Sequence, residues 1–142
     1  METECEFCSI VHGKQDGKIV FSDEVSLAFL DSKPIFPGHC LLIPKEHFVT
    51  VMETPDELLE KLSLNAKMLS IAVQKTMKSD GILVLSNNVI SQSVPHLHIH
   101  VIPRKKGDGL KGFLWPRHDY ESAAQAEWVA DSIRNLMRLR HN

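Results

Sequence analysis

Three of the chain's eight histidines, His96, His98 and His100, alternate with Leu97, Ile99 and Val101 in the most strand-like stretch of the sequence. In an extended strand, side chains two residues apart share a face. The spacing therefore predicts a row of imidazoles on one side and apolar core residues on the other. Imidazole is a common zinc ligand. However, a rise of about 3.3 Å per residue puts the outer two Cα atoms roughly 13 Å apart, whereas donors around one zinc ion lie within about 4 Å of each other. The row suits an elongated anion better: N–H groups donate to phosphate oxygens while one neutral ring attacks phosphorus. Crowded imidazoles titrate as a coupled set, which keeps at least one ring neutral. The middle residue, His98, is best placed to be that nucleophile, with its neighbours stabilising developing negative charge. The competing reading is a polar strand face that merely carries three histidines.

Just upstream, Gln92 and Ser93 bring an amide and a hydroxyl to the same approach, and Asn87 and Asn88 end the preceding apolar run. Taken singly, each reads as a turn residue.

A histidine row needs a sheet to carry it. Lys18 to Phe21 and Val25 to Asp31 flank Ser22-Asp23-Glu24 and predict a hairpin, preceded by a short apolar patch from Phe7 to Val11. The Ser32 to Gly38 segment, with two prolines and a glycine, predicts a constrained loop before the apolar strand Cys40 to Ile43, which Pro44 ends. Thr54-Pro55-Asp56-Glu57 has the form of a capping box with proline at the first helical position. From there Leu58, Leu62, Ala66, Leu69, Val73 and Met77 trace one apolar helix face until Ser79-Asp80-Gly81. Ile82 to Leu85 and Val94 to Ile102 read as strands. A second helix is predicted from about Ser122, with Ala126, Val129, Ile133, Leu136 and Met137 facing inward. The order β-β-β-α-β-β-α makes the chain α+β, one domain over residues 1–142.

Lys and Arg total 16 against 18 Asp and Glu, a formal charge of −2, so no global basic field exists to hold a nucleic-acid polymer. Any anionic ligand must be gripped locally. No stretch approaches the roughly 20 apolar residues of a membrane helix, and the acidic Met1-Glu2-Thr3-Glu4 is unlike a secretory signal, so a cytoplasmic protein is expected. Three cysteines argue against a disulfide framework and leave Cys5-x-x-Cys8 as a metal or redox candidate, with Cys40 in the core.

The run Gln92-Ser93-Val94-Pro95-His96-Leu97-His98-Ile99-His100-Val101-Ile102-Pro103-Arg104 closely resembles the signature of histidine-triad (HIT) proteins. Ala28 to Pro34, Pro37 to His47 and Cys5-Glu6-Phe7-Cys8 reinforce the likeness. The resemblance implies a HIT-like fold: a five-stranded antiparallel sheet with one long central helix and a C-terminal helix, paired into a homodimer, with a purine nucleotide site beside the histidines. Carried over residue by residue, it implies His98 as the nucleophile and His39 and His100 as phosphate-contacting partners. Ser93 would bond the phosphate or leaving group, with Gln92 beside it, and Asp31 would hold the ribose hydroxyls, with Phe29, Leu30 and Ser32 along the base and sugar pocket. Where family members commonly have glycines before the glutamine, Asn87-Asn88-Val89-Ile90-Ser91 has none, which makes Asn88 only slightly preferable to Asn87 as a loop ligand.

Similar bacterial proteins hold a zinc with the cysteine pair and two histidines matching His47 and His96. The resemblance thus implies a structural zinc on Cys5, Cys8, His47 and His96, leaving His98 and His100 free. The contrary reading is two thiols near a frayed terminus and a surface His47.

The function these residues imply is cleavage of a nucleoside monophosphate, AMP foremost, from a phosphorus-linked leaving group through a covalent nucleotidyl-His98. A phosphoramidase-like activity comes first, because the Gln92-Ser93 start resembles that branch of the family. The alternatives are a dinucleoside polyphosphate hydrolase, a nucleotide-binding or protein-interaction module without turnover, and a metal-dependent enzyme using the histidine row itself. His12, His118 and His141 suggest surface positions, Arg104-Lys105-Lys106 with Lys111 a solvated basic loop in preference to one that attracts phosphate, and Phe113 to Pro116 a dimer contact or a piece of core.

Overall fold

Apolar runs punctuated by proline, glycine and acidic turns become five short strands and three α-helices in the computed structural model, which describes residues 4–110 and 117–140, the last two of these by backbone alone. The order is α1 (Glu6–Val11), β1 (Ile19–Ser22), β2 (Ser26–Leu30), β3 (Cys40–Pro44), a 3-10 turn (Val51–Glu53), α2 (Asp56–Met77), β4 (Gly81–Leu85), β5 (Ile99–Arg104) and α3 (Ala123–Arg140). The strands form one antiparallel sheet ordered β1-β2-β3-β5-β4. The α+β class is therefore as the sequence implies. The chain divides into two compact units at Asp108, the sheet with α1 and α2 in one and α3 in the other.

Strand alternation sorts the side chains onto two faces. Ala28, Cys40, Leu42 and Val101 pack with Leu97 against the α2 stripe Leu62, Ala66, Leu69 and Val73. Leu27, Phe29, Leu41 and Ile43 point the other way and are covered by Phe7 and Ile10 of α1. His100 is paired with Leu41 across β3 and β5 and so belongs to the α1 side. The helix periodicity of α2 and the strand periodicity thus converge on the cluster of one sheet face, while α1 covers a second cluster on the other.

Three local expectations change. Thr54 does not cap α2. It is buried and its hydroxyl donates to the Thr50 carbonyl at 2.7 Å, while Pro55 occupies the cap position. The strand expected from Val94 begins only at Ile99, because Pro95 has no N–H to give and His96 turns back to donate to the Val94 carbonyl at 2.8 Å. In α3, Ser122 does accept the Gln125 N–H at 3.0 Å, but Ile133, Leu136 and Met137 are exposed rather than inward. Lys111, Phe113 to Pro116 and His141 lie outside the described residues.

Gly38 does what no other residue does there. Its φ is +94°, and an added Cβ would stand 2.6 Å from Met77 Cγ, so the chain turns tightly under the end of α2 and delivers His39 to the start of β3.

Candidate functional site

The hydrogen bonds of four histidines fix which nitrogen of each ring carries the proton in its neutral form. A carbonyl oxygen only accepts and a backbone N–H only donates. His96 therefore carries its proton on Nε2, which donates to the Pro44 carbonyl at 2.8 Å, and keeps a lone pair on Nδ1. His98 donates Nδ1–H to the His96 carbonyl at 2.7 Å, leaving its lone pair on Nε2. His39 Nδ1 accepts the Ile35 N–H at 3.1 Å, so its Nε2–H donates to His100 Nδ1 at 2.9 Å, and His100 presents Nε2–H as a donor. Burial, before any neighbouring charge, drives the His96 and His100 pKa values down to about 4 and lowers that of His39, so these rings are neutral at pH 7.

His98 and His100 stand with ring centroids 5.0 Å apart and open on a cleft of about 880 Å³. Phe29, Leu30, Asp31, Ser32 and Ser93 line the same cleft. His39 is almost fully buried behind it, with its Nε2 3.6 Å from Asp31 Oδ2, while Asp31 Oδ1 accepts the Lys33 N–H at 2.9 Å. A second concavity of about 950 Å³ lies against Asp23, Lys45, Glu57 and Lys61, but its charges are of both signs and no triad histidine reaches it.

Asn88 and Gln92 are not brought to the cleft. Asn88 Oδ1 accepts the Val51 N–H at 2.7 Å, and Gln92 donates to the Val49 carbonyl at 2.6 Å while accepting the Val89 N–H at 3.0 Å. Both side chains clip the 86–92 loop to the 49–51 segment. The glycine-free loop is strained: Val89 and Ser91 sit at φ +74° and +59°, a region that costs a β-branched residue heavily. Sequence reasoning missed Phe7, Ile10 and Leu41, which also line the cleft. Six residues of α1 are too few to show a helical period, and only the apolar patch marked them.

Cys5, Cys8, His47 and His96 converge at the other side of the His96 ring. Nδ1 of His96 is 3.4 and 3.5 Å from the Cys5 and Cys8 sulfurs and 3.1 Å from His47 Nδ1, and Cys8 Sγ is 3.3 Å from His47 Nδ1. A tetrahedral zinc with sulfur at about 2.3 Å and nitrogen at about 2.0–2.1 Å needs S···N edges of about 3.5 Å and an N···N edge of about 3.3 Å. The four donors fit that figure, and the His96 tautomer aims its lone pair into it. Burial, then the Cys5 thiol, push the Cys8 thiol up to about 11, as expected where two thiolates would repel without a cation between them. Asp31, His39 and His100 also cluster, but the Ile35 N–H keeps the proton of neutral His39 on the nitrogen that a metal would need.

Residues 12–107 match the HIT domain model. The chain is 36% identical over 141 residues to an adenylylsulfatase of Arabidopsis thaliana, covering 94% of this chain and 70% of that one. It superposes on a crystal structure of a HIT family member from Bacillus subtilis with a TM-score of 0.85 at 34% identity, covering 94% and 96% of the two chains. A zinc-bound histidine triad family protein from Mycobacterium smegmatis gives a TM-score of 0.70 at 30% identity, covering 95% and 96%. With its alternating histidines, its sheet order and these matches in agreement, the chain belongs to the HIT family.

Proposed function

We propose that this protein is a nucleotide hydrolase or transferase that cleaves a nucleoside monophosphate, AMP foremost, from a phosphorus-linked leaving group through a nucleotidyl-His98, with a phosphoramidase-like preference. The observation that carries the reading is the tautomer chain that leaves a lone pair on His98 Nε2 at the wall of the cleft. In the first step that lone pair bonds to phosphorus and the bond from phosphorus to the leaving nitrogen breaks. The departing amine takes up a proton from solvent, and the attacking water of the second step returns one. Ser93, on the cleft wall, is the hydroxyl we assign to the phosphate or leaving group, and the Nε2–H of His100 is the donor we assign to the phosphoryl oxygens. In the second step water attacks phosphorus and the bond to His98 Nε2 breaks, releasing AMP and restoring the neutral ring.

Asp31, with Phe29, Leu30 and Ser32 beside it, is the acid we assign to the ribose hydroxyls. His39 orients His100 rather than touching substrate. Asn88 and Gln92 support the loop that carries Ser93. The adenylylsulfatase relative widens the range of leaving groups to sulfate.

Cys5, Cys8, His47 and His96 would hold a structural zinc, whose charge neutralises two thiolates when bound. No described helix is long and apolar enough to cross a membrane. We take residues 1–142 as one functional domain acting in the cytoplasm as a homodimer.

Incubation with adenosine phosphoramidate and with adenylyl sulfate tests the reading. AMP release should fall at least about 10³-fold in His98→Ala. Tight AMP binding with no turnover of either compound would leave a binding module instead.

A further inference from the structure

The metal-ligand cluster and the nucleophile share one peptide group. The peptide joining His96 to Leu97 uses its carbonyl to accept the His98 Nδ1–H at 2.7 Å and its N–H to donate to the Phe48 carbonyl at 2.6 Å. Both ends of that peptide are tied to the cluster. The His96 ring is fully buried, held by the Pro44 carbonyl through Nε2 and facing Cys5, Cys8 and His47 through Nδ1. Phe48 follows His47 directly in the chain, so the loop that supplies one donor also supplies the oxygen that fixes the Leu97 N–H.

A second tie runs through α1. Cys5 caps this helix by accepting the Cys8 N–H at 3.2 Å, and Phe7 between them packs edge-on against the His98 ring, with centroids 5.1 Å apart and planes at 87°. The same phenyl ring touches Phe29 and His96. A six-residue helix has little stability of its own. The position of Phe7 therefore depends on how the two cysteines are held.

We infer that Cys5, Cys8 and His47 set the aim of the nucleophile: by fixing the His96 ring and the start of α1, they hold His98 in one tautomer and one orientation. His96 acts through its own carbonyl and Phe7 through ring contact, and both are positioning residues. The inference rests on the reading of His98 as the nucleophile.

The test compares zinc-loaded wild-type protein with His47→Ala, Cys8→Ser and chelator-treated wild type, each shown by circular dichroism to be folded. NMR of the histidine ring nitrogens, with the His98 signals assigned by their loss in His98→Asn, reads the tautomer without reference to turnover. The loaded protein should show a single His98 form with its lone pair on Nε2. The others should show a mixture, and their kcat for adenosine phosphoramidate should be about 10–100-fold lower with KM within about twofold. Cys8→His, which keeps four donors, should restore both. A single unchanged His98 tautomer in folded His47→Ala or stripped protein overturns the inference and leaves the nucleophile intact. Full activity in His98→Asn overturns the nucleophile itself. If the ligand variants do not fold, Phe7→Leu carries the test: it retains the four donors, so bound zinc stays at one per chain, while the His98 ring signals broaden and kcat falls about tenfold. Unchanged His98 signals and kcat in Phe7→Leu overturn the inference.

Discussion

At the scale of single residues, burial and hydrogen bonding decide what each imidazole can do. His100 is held at about 4, first by burial and then by the neighbouring His98 and His39, against an ordinary value of about 6.5. An unfolded chain binds that proton more readily than the folded one. The stability His100 contributes is therefore complete above pH 6.5 and is lost as pH falls from there through about 4, amounting to about 2–3 kcal/mol. Urea midpoints measured across this range should fall with pH in the wild type and fall less steeply in His100→Gln, where His96 and His39 still contribute; an equal slope in both would contradict the assignment. The spacing alone singles out His98 as the candidate nucleophile, although the strand it implies begins only at Ile99. The tautomers were not legible, because they depend on Pro44, Ile35 and the His96 carbonyl, which the fold brings in from elsewhere.

At the scale of elements, the long helix and the alternating strands could be read because each buries one regular face. Their ends could not, since capping and pairing are decided by tertiary contacts: Thr54 is consumed by Thr50, and Pro95 delays β5 to Ile99. Asn88 and Gln92 show the same limit in the site. Their types suit a phosphate, but the 49–51 backbone claims them first. Gly38 is the turn on which the position of His39 depends. Gly38→Ala should cost about 1–3 kcal/mol of stability, from the +94° φ and the Met77 contact, and thermal unfolding measures it. A midpoint equal to the wild type would mean that the turn relaxes freely.

At the scale of the whole molecule, the sheet with its two helices accounts for the cleft, the proposed nucleophile His98 and the metal-ligand cluster within residues 4–108. Among the described residues, Leu64, Met68 and Ile71 on the outer side of α2, and Val84 on the edge strand β4, are exposed apolar side chains. Such a stripe is a candidate interface between two copies. Sedimentation should show a dimer that Met68→Asp converts to a monomer. A wild-type monomer at micromolar concentration would remove the homodimer from the account.

The central claim is that His98 bonds to phosphorus. Rapid acid-free quenching of the reaction with adenosine phosphoramidate, followed by peptide mass spectrometry, tests it most directly. The account predicts an AMP-sized mass increase on the peptide containing His98, localised to that ring and absent from His98→Ala. An adduct on another histidine, or turnover in the His98→Ala protein at the wild-type rate, would contradict it.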